Sequence, residues 1–104
     1  MTDISQAGNT ARSEEGTVTR TVAVGSHVGL HARPATAIAK AAAGLRTAVL
    51  IGRGDRAPAD ARSLLSILAL GAEHGDEVTL TASGEGAEQA VTALAALIAS
   101  DQDG

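Results

Sequence analysis

The chain has 104 residues, enough for one domain with a single modest core. It contains no Phe, Tyr, Trp or Cys, so Val, Leu, Ile and alanine must build the core, and disulfides, thiolate metal sites and thiol nucleophiles are excluded. The formal charge is −4, with all eight Lys and Arg at or before Arg62 and seven acids after it; lacking a basic stripe and stacking aromatics, the chain is not expected to bind nucleic acid.

Residues 1–16 are polar and without periodicity, and are expected to form a disordered leader to a domain over 17–104. No basic start precedes an apolar stretch, so a signal peptide is not expected. No apolar run approaches the roughly 20 residues of a membrane span. The first strand is predicted over 18–24. Val18, Val22 and Val24 share one face, Thr17, Thr19 and Thr21 the other, and Arg20 interrupts the apolar face, expectedly at its edge.

Next comes Gly29-Leu30-His31-Ala32-Arg33-Pro34-Ala35, where strand gives way to an Ala-rich helical pattern. Proline fits a first helical turn, because the N–H it lacks would have no intrahelical partner there. The remaining free N–H groups and the helix dipole make that end an anion site. His31 stands at or just before the cap, and imidazole is an established covalent carrier. Arg33 adds a fixed charge with fork-shaped donors for phosphate oxygens. A loop histidine that merely caps a helix has the same local pattern, so these seven residues alone leave both readings open.

Ile38, Ala41, Ala42 and Leu45 continue the helix, with Gly44 as its stop. A short strand follows over 47–51, then the turn Gly52-Arg53-Gly54-Asp55 and a poorer strand over 57–59. Pro58 assigns that strand to a sheet edge. Arg53-Gly54-Asp55 also spells an adhesion tripeptide, which is taken as a chance turn. Ser63 caps a short helix over 64–70, closed by Gly71. Residues 76–83 alternate, with Val78, Leu80 and Ala82 inward. After Gly84 and Gly86 a last helix carries the stripe Val91, Leu94, Ala95, Leu97 and Ile98; Glu85 and Glu88 suit its positive end. Residues 101–104 are expected to fray. The order β-α-β-β-α-β-α predicts an α+β two-layer open-faced sandwich, a four-stranded antiparallel sheet covered on one face by three helices.

The His31 loop is similar to the active-site loop of HPr, the histidine-containing phosphocarrier of the bacterial phosphotransferase system. Ala61-Arg62-Ser63-Leu64-Leu65-Ser66-Ile67-Leu68 resembles the segment these proteins use for docking and, in some bacteria, regulation. Two motifs and the matching element order extend the resemblance over 18–100. It implies a cytoplasmic, monomeric carrier that takes a phosphoryl group from enzyme I onto Nδ1 of His31 and hands it to a sugar-specific enzyme IIA domain. No cofactor or metal is implied, and nothing is turned over by the carrier alone. By the same resemblance Arg33 steadies the phosphoryl group, and Lys40 and Arg62 edge the partner surface, although solvated surface charges would look the same. The resemblance also implies that Leu64, Leu65 and Leu68 form the outward docking set, with Ile67 and Leu70 in the core. Ser63 matches a serine modified by a dedicated kinase in some relatives. The alternatives are a regulatory module of this fold that binds a transcriptional regulator or an enzyme, or a carrier for a nitrogen-related or dihydroxyacetone branch.

Two features stand apart from the resemblance. Val28 occupies a position where such proteins often place Ser or Asn near the histidine, so the tautomer of His31 is expected to be set by backbone groups. His27 and His74 have no metal-ligand spacing with His31 and are expected to be exposed loop residues.

Overall fold

The computed structural model describes residues 10–12 and 16–100. Strands β1 (Thr10–Arg12), β2 (Thr17–Ala23), β3 (Leu50–Gly52), β4 (Ala59–Asp60) and β5 (Glu77–Ser83) form one sheet in the order β1-β2-β5-β3-β4, antiparallel throughout. Helices α1 (Ala32–Ala43), α2 (Leu64–Ala69) and α3 (Ala87–Ala99) complete the two layers. The four expected strands and three helices are all present.

The strand Thr10–Arg12 is the addition. It pairs with β2, Ala11 opposite Thr19, so three residues assigned to the disordered leader extend the sheet instead. The physical reason is that a free strand edge presents unpaired N–H and C=O groups to any extended segment, and backbone pairing asks little of its side chains. The remaining leader residues before Gly16 and residues 101–104 lie outside the described residues.

The long ladder between β2 and β5 carries the hydrophobic pattern. Val18, Arg20 and Val22 stand opposite Ala82, Leu80 and Val78, so all six occupy one face. Arg20 therefore interrupts the inner face in the middle of the sheet, half-buried, and not at an edge, because β1 covers that side. A long side chain tolerates this position by burying its stem and keeping its charge wet. The opposite face is a row of hydroxyls, with Thr17 Oγ1 2.8 Å from Ser83 Oγ.

The smaller elements are shorter than their patterns predict. The strand expected over 47–51 begins only at Leu50; before it the Val49 carbonyl still accepts from Ala61 N–H, while the Thr47 hydroxyl donates to the Glu85 carbonyl and ties that end to the turn before α3. Its partner, expected over 57–59, is Ala59–Asp60, with Pro58 just outside it on the sheet edge. Helix α2 ends at Ala69, with Leu70 as its C-cap.

Ile38, Ile51, Ile67, Leu80, Leu94 and Ile98 are fully buried between the layers. Each contributes about 1.5–3 kcal/mol by leaving water. Around them alanines such as Ala35, Ala87, Ala90 and Ala95 let backbones approach closely. The approach is closest at Gly25, whose N–H donates to the Ile98 carbonyl at 2.9 Å. A Cβ on Gly25 would lie 1.9 Å from the Ala99 carbonyl oxygen and 2.5 Å from its carbon. Gly25→Ala is therefore expected to lower unfolding free energy by about 1–3 kcal/mol in chemical denaturation, the usual cost of overpacking. An unchanged midpoint would show that the last turn of α3 is not anchored there.

Candidate functional site

The segment between β2 and α1 is tied down at successive backbone groups. Val24 N–H donates to the Asp76 carbonyl, Gly29 N–H to the Ser26 carbonyl, and Leu30 N–H to the Ala72 carbonyl at 2.9 Å. Gly29 has φ +78°, and a Cβ there would sit 2.6 Å from the Ala72 oxygen and 2.8 Å from the Glu73 Cα. Glycine meets both demands, the left-handed backbone and the close approach. Leu30 on one side and Pro34 and Ala35 on the other are buried, which leaves His31, Ala32 and Arg33 raised into solvent between two anchors.

His31 is the N-cap of α1, in extended backbone conformation, and its side chain makes no capping hydrogen bond. Its carbonyl accepts from Ala35 N–H, the first intrahelical bond. The N–H groups of Ala32 and Arg33 then have no intrahelical acceptor, and Pro34 has none to offer. An exposed imidazole thus stands beside two free donors, the positive end of a twelve-residue helix and the exposed Arg33. The imidazole side chain is 62% exposed.

The ring has a neighbour that sequence reasoning did not find. Glu73 Oε1 lies 3.7 Å from His31 Nε2. No backbone group hydrogen-bonds the His31 ring among the described residues, so the expectation that backbone sets its tautomer is corrected: the polar group beside it is a carboxylate. The only local sign was an acidic turn, and no spacing rule links residue 73 to residue 31.

Helix α2 packs against α1, and so brings its exposed side chains beside the helix that His31 begins. Leu65 is 78% exposed and Leu64 and Leu68 are 36% exposed, while Ile67 and Leu70 are buried, the division expected. Ser63 is the N-cap of α2, its Oγ accepting from Ser66 N–H at 3.2 Å. Lys40 is exposed on α1 seven residues after Arg33, hence on the same side of the helix, in the last turn where a cation complements the dipole.

His27 and His74 are brought together, their rings stacked at 5.5 Å, with His74 Nδ1 donating to the Ser26 carbonyl. No group of three or more His, Asp or Glu that could hold a metal occurs among the described residues. Arg53 of the Arg-Gly-Asp turn is a strut. It pairs with Asp76 at 2.9 Å and donates to the Leu70 and Gly71 carbonyls.

Arg62 is already engaged. Its guanidinium grips Asp60 at 2.7 Å through Nη2, with Nε and the backbone N–H also donating. These bonds, the side-chain ones foremost, hold the Asp60 carboxyl down to about 2 from its ordinary 3.8. A carboxyl depressed on folding adds stability above the unfolded value and loses it as pH falls through the folded one. The stability difference between wild type and Asp60→Asn should therefore be full above about pH 4 and close as pH drops through about 2. Carbon-detected titration of Asp60 with a midpoint near 4 would show that the clamp does not form in solution.

A family model described as "PTS HPr component phosphorylation site" matches residues 18–100. The phosphocarrier protein HPr of Streptomyces coelicolor is 45% identical over 80 residues, covering 77% of this chain and 86% of that protein. The phosphocarrier protein NPr of Escherichia coli is 32% identical over 87 residues, covering 84% of this chain and 97% of that protein. The crystal structure of HPr from Bacillus anthracis superposes with a TM-score of 0.74 at 33% identity, covering 79% of this chain and 96% of that one. The open-faced sandwich, the match across nearly all of it and the histidine raised at a helix N-terminus lead to one conclusion: the chain belongs to the HPr family, the phosphocarriers of the phosphotransferase system.

Proposed function

We propose that the chain takes a phosphoryl group from phosphorylated enzyme I onto Nδ1 of His31 and passes it to a sugar-specific enzyme IIA domain, in the cytoplasm and as a monomer. The observation that carries this reading is that His31 caps α1 by position alone, leaving its ring exposed beside two free N–H groups and Arg33. The neutral ring attacks phosphorus with the Nδ1 lone pair. The donor's N–P bond breaks, and its electron pair stays on the donor imidazole. Charge on the transferring group meets the helix end and the Arg33 fork, and phosphoryl transfer needs mainly such positioning and electrostatic support. The protein is an intermediate in a relay and turns over nothing alone.

Docking is assigned to Leu64, Leu65 and Leu68, because apolar side chains left in water beside a reactive group fit a partner surface. Lys40 lies on the same side of α1 as Arg33 and would meet an acidic partner. A nitrogen-related branch is the second reading, favoured by the likeness to NPr; the type of enzyme IIA domain that discharges the protein distinguishes the two.

With enzyme I, phosphoenolpyruvate and Mg²⁺, intact mass should show one phosphoryl group, absent in His31→Ala; a modification that survives that substitution assigns the acceptor elsewhere. Arg33→Ala should keep the melting temperature and slow transfer about tenfold or more, a barrier increase of about 1.4 kcal/mol. Equal losses of stability and transfer would make Arg33 a structural residue.

Leu65→Glu should weaken binding to enzyme I with an unchanged far-UV circular dichroism spectrum. Wild-type affinity in that folded variant would remove α2 from the docking surface.

A further inference from the structure

Glu73 belongs to the loop between α2 and β5, yet its carboxylate reaches the ring nitrogen of His31 that the proposed transfer does not use. Two sets of bonds fix this meeting. From the His31 side, Leu30 N–H is bonded to the Ala72 carbonyl, and Gly29 packs its bare Cα against Glu73. From the other side, Glu73 N–H donates to Asp76 Oδ2 at 2.8 Å, and the same oxygen receives Arg53 Nη2 at 2.9 Å. Arg53 is in turn bonded to the Leu70 and Gly71 carbonyls, so the backbone entering Glu73 is braced on both flanks.

We propose that Glu73 is the positioning residue for His31, its carboxylate holding the Nε2 proton so that the Nδ1 lone pair faces the incoming phosphoryl group. A partner on one ring nitrogen decides which nitrogen keeps the proton and how the ring is turned. At 3.7 Å the two groups are within ion-pair range and beyond hydrogen-bond length. Both side chains are about two-thirds exposed, and a rotation about their outer bonds closes the gap, as catalytic hydrogen bonds commonly do when a complex forms. No proton moves in the step: Nδ1 gains the bond to phosphorus, and Nε2 keeps its hydrogen. The ring becomes more positive as that bond forms, and the carboxylate stabilises the change from the far side. Because it sits at Nε2, it is also held away from the negative phosphoryl oxygens at Nδ1.

This inference rests on His31 being the phosphoryl acceptor, and the test separates the two claims. Long-range proton–nitrogen spectra of the unphosphorylated ¹⁵N-labelled protein, at about pH 8.5 where imidazoles are neutral, report the tautomer of each histidine without any transfer. Wild type should show His31 as the Nε2–H form. Glu73→Ala should give a larger Nδ1–H share at His31, with His27 and His74 unchanged as internal references. The same variant should accept phosphoryl from enzyme I about tenfold more slowly, the low end of what losing an orienting partner costs. Glu73→Gln, whose amide oxygen can still accept from Nε2–H, should restore the wild-type tautomer and most of the rate. A His31 tautomer in Glu73→Ala identical to wild type, with a rate within twofold, overturns the assignment. Absence of phosphorylation in wild type would instead refute the acceptor role, while the spectra would still decide what Glu73 does to the ring.

Discussion

The site depends on one close approach, the backbone of Gly29 and Leu30 against that of Ala72 and Glu73. There is no space for a Cβ at Gly29, and the Leu30 N–H is bonded to the Ala72 carbonyl across the contact. This joins the end of β2, the start of α1 and the loop from α2 to β5 at a single place. Leu30 is buried there, so the next residue, His31, must turn outward before Pro34 and Ala35 bury the chain again. An exposed side chain on a rigid base follows from having buried anchors on either side of it.

That approach is a consequence of composition. A domain of this size without aromatic rings fills its interior with Val, Leu, Ile and alanine, and small side chains bring backbones together. Gly25 against Ala99 is the same solution at the C-terminal end of α3. Little apolar area is buried per residue, and specific backbone contacts take a larger share in holding the elements in register.

The charges divide by whether they are already satisfied. Arg53 is spent on Asp76 and two carbonyls, and Arg62 on Asp60. Arg33 and Lys40, both exposed, line the solvent side of α1. His31 therefore stands near a short positive edge on α1 and three exposed leucines on α2, on a body that is otherwise acidic. Steering to an acidic surface and apolar contact at short range are compatible on such a face.

Much of this was local and hence legible in the sequence. The alternation through β5, the stripe of α3 and the Ser63 cap follow from periodicity and capping within a few residues, whereas the division of Leu64, Leu65 and Leu68 outside from Ile67 and Leu70 inside came from the resemblance to HPr. His31 at a strand-to-helix junction is likewise a statement about neighbours in the chain. The strand Thr10–Arg12 was not legible, because an edge accepts an extended segment through backbone bonds that leave no pattern in its side chains. That Arg20, already on the apolar face by its alternation, lies inside the sheet and not at an edge needed the knowledge that β1 covers β2. The Asp60–Arg62 clamp is two residues wide and still was missed, since it exists only once the turn after β4 sets both side chains on one side. Glu73 beside His31 lies furthest from any sequence rule: two loops distant in the chain meet because a glycine lets their backbones touch, and only the assembled fold brings that carboxylate to that ring.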